Sequence, residues 1–560
     1  MKFQKTDKKQ VLKFIAIGDG VTKNLTIYEY GDDIIAVDFG IGFPEGDDHG
    51  VDYIVPDMTY LLENSHKVKG LFISHAHADH FAAVPHLLQQ LNVPIYANNL
   101  TQEYIKQQFD EKQFKNLKST AQFHLFNAST ETVHLGAFKV SAFNVNHSVP
   151  GSLGIAIETP EGTMLHLADY KIDESPVIDS VIDLNKIEEY GKKGVLCMAT
   201  DCLGSKTDGF VGTESSLNET FPDLFRQFPN EQLFITTISS NISRMHQIIG
   251  AAIDAGRKVV PVGRSIDRSV KIARSLGYLP YGEDAFLDVK KAFEKNQKDI
   301  VYMIAGCFGQ QGSSLSRVST GEHARVTLNE GGIVIFSSEP NPPGVDVDVE
   351  LVIDNIILRG GEVIDHRDRD DLHVSGHGHK EDLLKVASLA KPQYFIPIGG
   401  SINHIHSYTK MVEKIGVKQH QVFELLEGDV VEFSGGDARK GKRLEINDIL
   451  IDGKSLDPIV VKDRERLSTD GVFVVIVPVS NETRKVMGKV DVVTRGFVYV
   501  KESKELMGKS KDLVNKILNK SGNTVTDWSN VKNKIEKDLH KFLYKETGRN
   551  PLVMAHSIFV

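Results

Sequence analysis

Cysteine is nearly absent: three in 560 residues, Cys197, Cys202 and Cys307, with no Cys-x-x-Cys pair. That excludes a disulfide framework and fits a reducing cytoplasm, the expected compartment. No apolar run approaches the length needed to cross a bilayer, so no membrane partner is expected. The early run VLKFIAI is short and broken by a lysine, and reads as a first strand, not a signal peptide. Internal repeats and low-complexity tracts are missing as well. There is no basic excess either: the formal net charge is −10. This argues against a generic nucleic-acid coat but leaves a local basic channel open, because phosphate binding depends on where charge sits.

What remains is an ordinary globular composition, 41% hydrophobic and 25% charged. The chain is too long for one hydrophobic core, and roughly two to four domains are expected. LTIYEY, GDD and IIAVDFG form a hairpin pattern, and GLFISH, PIYAN, FKVSAFNV, LGIAIET and TMLHLAD are further strands. HADHFAAVPHLLQQL has helical spacing of Phe81, Val84, Leu87, Leu88 and Leu91. From about residue 207 to 365 the texture changes to strand–helix alternation, the pattern of a parallel sheet. LFITTI, KVVPVG, DIVYMIAG and GIVIFSS are its strands, and RMHQIIGAAIDAG and DRSVKIARSLG its helices. The stretch after 366 reads as loop, helix and strand. The stretch from about 450 reads as strands GVFVVIVPV and GFVYVK followed by a terminal Lys-rich helix.

The stretch SHAHADHF packs His75, His77, Asp79 and His80 into six residues on a strand-to-helix loop. A chance match to His-x-His-x-carboxylate-His in a chain of this composition has odds of about one in a few hundred. Ligands can converge on a metal from such a loop. Two later strand ends offer more donors, His147 in NVNHSVPG and Asp169 in MLHLADYKID. Asp38, which ends IIAVDFG, is placed to orient a ligand histidine. Arg257, Lys258, Arg264 and Arg268 form a basic cluster that could line an RNA path or simply face solvent.

The order of these motifs resembles the metallo-β-lactamase fold. TDCLGSKTDGFVGTES, GCFGQQGSSLSR, FSSEPNPPG, SGHG and RERLSTDGVFVVIV…VVTRGFVYVKES narrow the likeness: in that order they resemble ribonuclease J, a bacterial β-CASP nuclease family, over almost the whole chain. The resemblance implies an α/β protein with four segments. Residues 1–206 would be the first part of a metallo-β-lactamase αββα sandwich and 207–365 an inserted β-CASP domain. Residues 366–448 would complete the sandwich and add a linker, and 449–560 would form a small α+β C-terminal domain.

It further implies a metal-dependent ribonuclease, a 5′-to-3′ exonuclease with endonuclease activity. One metal would be held by His75, His77 and His147, the other by Asp79 and His80, with Asp169 bridging. Asp79, His377 and Asp201 would be catalytic, Asp201 by ordering the site and His377 as acid or electrostatic stabiliser. Ser375, Gly376, His377 and Gly378 would bind the phosphate being cleaved. The implied cofactor is Zn2+, one or two per chain, with Mn2+ or Mg2+ as alternatives. RNA is the implied substrate and a homodimer or homotetramer through the C-terminal domain the implied assembly, with RNA-degradation partners besides. A weakly active or inactive RNA-binding scaffold subunit of the same family is the alternative, and DNA as substrate stays open.

The chain also departs from the family pattern. The strand YFIPIGG carries Gly399 where the family has a metal-binding histidine. Either the second metal is weakly held, or water completes its shell, or His404 or His406 takes over. Gly151, Ser243, and Cys307, Phe308 and Gln311 of GCFGQQG replace other common residues, and FSSEPNPPGVD lacks a common Gly-Asn-Glu. The last two segments face RNA in the family.

Overall fold

The computed structural model describes residues 10–18, 20–44, 50–338, 345–456, 458–498, 503–520 and 528–560. It divides into two compact units, residues 1–43 with 54–449, and residues 44–53 with 450–560.

The first unit is built on two facing sheets. The eight-stranded sheet carries Leu12–Gly18, Leu25–Tyr30, Asp33–Val37 and Val68–Phe72 at its centre. The six-stranded sheet carries Phe138–Asn144, Leu153–Thr159, Gly162–Leu167, Val195–Asp201 and Tyr394–Ile398. Alternate residues of each strand point between the sheets, where Phe14, Tyr28, Ile35, Phe72, Val140, Ile155, Met164, Ala199 and Ile396 form one core. The opposite face of the second sheet, with Phe143, Leu165, Met198 and Phe395, is covered by helices Leu184–Lys193, Lys380–Ala390 and Ile402–Glu413. This is the metallo-β-lactamase sandwich, with helices outside and sheets inside.

Val195–Asp201 and Tyr394–Ile398 are neighbours paired in parallel, Asp201 opposite Ile398. The chain between them leaves the sandwich and makes a third sheet, all parallel, of Leu233–Thr236, Lys258–Val262, Ile300–Ile304, Ile333–Phe336 and Glu362–Ile364. The expected inserted α/β domain is this sheet. Helices Ile242–Asp254 and Arg264–Ser275 follow its first two strands.

Buried charges join the insertion to the sandwich. Arg244, fully buried, reaches Glu214 Oε2 at 3.0 Å, Ser337 Oγ at 2.7 Å and the Leu372 carbonyl at 3.1 Å. Lys171 lies 3.5 Å from the other Glu214 oxygen and 3.3 Å from Asp173. These groups come from the sandwich, the outgoing crossover, the inserted sheet and the returning crossover. Burial would raise the Glu214 pKa, but Arg244 and Lys171 outweigh it and hold it below the usual range. Its stabilising effect is therefore full at neutral pH and is lost as pH falls through that lowered value.

Two expectations need correction. The helix read over HADHFAAVPHLLQQL is two helices, Ala78–Phe81 and Val84–Gln90. It breaks because other loops take its carbonyls: Asp79 O accepts from Asn24 N (3.0 Å) and His80 O from Phe39 N (2.7 Å), while Ala83 N turns to Phe39 O (3.0 Å). Pro85 then sits in the first turn of the second piece, where its missing N–H costs nothing.

The other correction is in the second unit. Its strand Val472–Val479 buries Phe473, Val475, Val477 and Val479 under two helices, Lys504–Lys520 and Trp528–Thr547. The chain does not end in one helix. The strand Leu552–Phe559 follows and pairs in parallel with Val472–Val479. The strand expected at GFVYVK lies earlier, at Asp491–Arg495, with Gly496 to Val498 bending away from it. Residues 499–501, like 339–344 of FSSEPNPPG, lie outside the described residues.

Glu214→Ala takes the carboxylate from buried Arg244 and leaves buried Lys171 with Asp173. It is expected to cost about 3–5 kcal/mol in denaturant unfolding of the intact chain; a loss under about 1 kcal/mol would show that the network is not a structural joint.

Candidate metal centre

Four strands of the second sheet run in the same direction, and their carboxyl ends meet at one edge. His147 follows Phe138–Asn144, Asp169 follows Gly162–Leu167, Asp201 ends Val195–Asp201, and Gly399 follows Tyr394–Ile398. In the facing sheet, Asp33–Val37 and Val68–Phe72 are parallel neighbours, so Asp38 and the His75–His80 stretch emerge side by side. Sheet topology thus gathers residues more than a hundred positions apart.

Among the described residues, three groups have ligand atoms within 4.8 Å of one another and could hold a metal ion: His75, His77, His147 and Asp169; Asp79, His80 and Asp169; and Asp169, Asp201 and His377. Asp169 belongs to all three. Its Oδ2 is 3.6 Å from His75 Nε2, 3.7 Å from His147 Nε2 and 3.3 Å from His80 Nε2.

Each histidine is held by one ring nitrogen and turns the other inward. His75 Nδ1 meets Ser74 Oγ at 2.9 Å, and that hydroxyl donates to Asp38 Oδ2 at 2.8 Å. His80 Nδ1 donates to the same Asp38 oxygen at 2.8 Å, and Asp38 Oδ1 accepts Ser74 N at 2.7 Å. His147 Nδ1 donates to the Gly376 carbonyl at 2.7 Å, and His77 Nε2 meets Ser148 Oγ at 3.1 Å. That leaves Nε2 of His75, His80 and His147, and Nδ1 of His77, to face the shared space.

His77 Nδ1 is then 3.1 Å from His75 Nε2 and 2.9 Å from His147 Nε2. Three inward lone pairs cannot bond one another. A cation satisfies all of them, and Zn–N bonds of about 2.1 Å imply donor separations of about 3.4 Å in a tetrahedron. The residues fit a metal.

Protonation agrees. Burial holds His75 and His147 well below the usual imidazole pKa and pushes His77 down to about 4, so all three are neutral ligands at pH 7. Burial also opposes charge on His80, but Asp169, Asp79 and Asp38 outweigh it and raise its pKa well above the usual value.

The turn 375–378 closes the site. His377 Nδ1 donates to buried Asp201 at 2.7 Å, its ring is 5.0 Å from that of His147, and its main-chain N–H donates to Ser375 Oγ at 3.1 Å. Gly376 has no room for a side chain: a Cβ there would stand 2.7 Å from His147 Cε1. Gly378 N donates to Tyr170 O at 2.7 Å, next to Asp169. All the sequence-proposed site residues therefore converge.

Neither substitute for the missing histidine joins them. His404 Nδ1 caps its own helix through Ser401, and exposed His406 pairs with Glu424 at 3.3 Å. A Cβ on Gly399 would point between two ligands, 3.6 Å from Asp169 Oδ1 and 3.7 Å from Asp201 Oδ1. Below Gly399 is a cavity of about 20 Å3, room for about one water, lined in part by Asn24, Asp38, His166 and Asp169.

The basic cluster does not hold together as a patch. Arg257 is buried and donates to the carbonyls of Phe228, Glu231 and Ile300. Lys258 begins the strand Lys258–Val262, and Arg264 begins the helix that follows its far end. Sequence reasoning missed Asn24, Ser74, Ser148 and the buried His166–Tyr28 pair (2.9 Å). Nothing marks the first three by type or spacing. His166, three residues before Asp169 in TMLHLAD, was the one visible signal.

A sandwich of two sheets with this cluster at its edge defines a hydrolase of the metallo-β-lactamase class. The comparisons agree and go further. Residues 50–183 match the model of the beta-lactamase superfamily domain, 230–356 that of the ribonuclease J beta-CASP domain, and 459–558 that of the ribonuclease J C-terminal domain. The chain is 31% identical over 558 residues to Ribonuclease J2 of Bacillus subtilis, covering 99% of both chains. It is 33% identical over 538 residues to Ribonuclease J 1 of Streptococcus pyogenes serotype M3, covering 95% of both. A crystal structure of a protein of unknown function from Enterococcus faecalis V583 shares the fold, with a TM-score of 0.53 and 16% identity, over 76% of this chain and all of that one. The chain belongs to the ribonuclease J family.

Gly399→His is expected to bring metal content close to two per chain and to make the second ion resist mild chelation, at an αL strain of about 1–2 kcal/mol since φ is +71°. Metal analysis after dialysis checks this; an unchanged ratio would mean that the side chain at 399 does not reach the site.

Proposed function

We propose that this chain, a metal-dependent ribonuclease, degrades RNA from the 5′ end and also cuts internally. The observation that carries the reading is the tie of the 375–378 turn to the donor cluster, through His147 and through Asp201. Gly376 holds His147, and His377 is held by Asp201. A phosphate docked on that turn lies against the metal ligands.

In this reading His75, His77 and His147 would hold one cation, Asp79 and His80 the other, and Asp169 would serve both. Zinc suits the nitrogen-rich half, and the oxygen-richer half also accepts manganese or magnesium. Bound cations supply an activated water and neutralise charge building on the phosphoryl oxygens. The protein's own groups do the rest. The Ser375 hydroxyl, which accepts the His377 N–H, has its own proton to give to the phosphate. His377, with Nδ1 fixed by Asp201, presents Nε2 to donate to a phosphoryl or leaving oxygen. Asp201 keeps that ring in one tautomer, as Asp38 does for His80.

Gly399 favours a second reading, a weakly active RNA-binding subunit that serves as a scaffold. The assembly would be a homodimer or homotetramer through residues 449–560, working in the cytoplasm with other RNA-degrading proteins. The two readings separate in one assay. On 5′-labelled RNA, the enzyme reading expects monophosphorylated ends to be degraded faster than triphosphorylated or hydroxyl ends, because entry from the 5′ terminus uses contacts to one end phosphate, which a hydroxyl end lacks and a triphosphate overfills. Binding without decay would support the scaffold. Equal rates on all three ends would contradict entry from the 5′ terminus.

His77→Ala should abolish hydrolysis, by about a thousandfold or more, while the melting temperature of the chain stays within a few degrees. Activity near wild type would overturn the metallonuclease reading.

A further inference from the structure

We infer that Asn24 is a positioning residue for the second cation site, holding Asp79 and His80 in the arrangement that receives a divalent ion; this rests on the metal reading above. Asn24 lies just before the strand Leu25–Tyr30, behind Lys23, which turns the chain at φ +63°. Lys23 is itself anchored. Its N–H donates to Ile41 O at 3.0 Å, and its ammonium pairs with Glu427 at 2.6 Å and with Asp448.

From that fixed point Asn24 grips the next loop. Its main-chain N–H and its side-chain Nδ2 both donate to Asp79 O, at 3.0 and 3.1 Å. Nδ2 is also 3.5 Å from Asp79 Oδ2 and 3.1 Å from His80 Nε2, a lone pair that a bound ion would take over from the amide. In an uninterrupted helix Asp79 O would accept from Ala83 N. Here Asn24 replaces that bond, the helix ends after four residues, and the Asp79 backbone is set by a loop outside it. The fit is tight: a Cβ on Gly40 would stand 1.6 Å from Asp79 O, so only glycine lets the neighbouring loop approach.

The contacts are confined to one half-site. His75, His77 and His147 are oriented by Ser74, Ser148 and Gly376, not by Asn24. Because position 399 bears no side chain, the other half-site has, among the described residues, Asp79, His80 and shared Asp169 as its donors. It therefore depends more on how well the first two are aimed, and Asn24 lines the same cavity as Gly399. The amide also restrains one Asp79 oxygen, so that the carboxylate does not rotate away from the ion.

The test is manganese binding to the full-length protein, by equilibrium dialysis with metal analysis and by manganese paramagnetic resonance, after the tight site has been filled with zinc. Asn24→Ala is expected to weaken the weaker class of site by about ten- to hundredfold while leaving tight-site zinc at wild-type stoichiometry. Asn24→Ser, which keeps one donor, should fall between the two, and it serves as the variant if the alanine change does not fold. Unaltered weak-site affinity in Asn24→Ala would overturn the inference. So would parallel loss of both classes with a lowered melting temperature, the mark of a general folding role. Wild-type protein that takes up no cation at all would overturn the metal reading itself, a failure visible before any variant is made.

Discussion

Asp169 is a carboxylate buried among histidines, and the rest of the site is arranged around it. A buried anion without partners is very costly, and it becomes tolerable only when paired and hydrogen-bonded. Three histidines approach one of its oxygens within 3.7 Å. Burial would raise its pKa, but His80, His377 and His75 outweigh that and keep it ionised. The same residue belongs to each of the candidate donor groups. The outer contacts of the histidines, through Asp38, Ser74, Ser148 and Gly376, fix which ring nitrogen faces the space beside Asp169, where a cation would lie between lone pairs and carboxylate.

The fold meets that requirement by strand direction. His147, Asp169, Asp201 and position 399 all follow strands that run one way, so a single sheet edge carries the donors. The inserted sheet leaves and re-enters between two neighbouring strands of that edge, after Asp201 and before Gly399. Its crossovers are joined to the sandwich by the Lys171, Asp173, Glu214 and Arg244 charges. The returning crossover carries the 375–378 turn, so this joint and the position of His377 over the cluster are parts of one arrangement.

Much of this was legible in the residues. A His-x-His-x-Asp-His run is rare enough to announce a metal, and strand ends in Asp or His are easy to see. The parallel inserted sheet followed from alternating apolar runs and helical spacing. What escaped depends on contacts between distant loops. The break after Phe81 is set by Asn24 and Phe39, which no local pattern reveals. Arg257 looks like a surface charge until three carbonyls are found around it. The closing strand Leu552–Phe559 was overlooked because the Lys-rich helices before it dominate the local pattern, although parallel pairing with Val472–Val479 gives it a place in the sheet.

The account stands on two unequal cation sites that share one carboxylate. Anomalous diffraction from crystals of the unmodified protein grown with manganese tests this most directly. The account predicts a strong peak among His75, His77, His147 and Asp169, and a weaker, partly occupied peak between Asp79, His80 and Asp169. Two peaks of equal, full occupancy with His404 or His406 drawn in as a ligand would contradict it, as would a single ion bound away from Asp169.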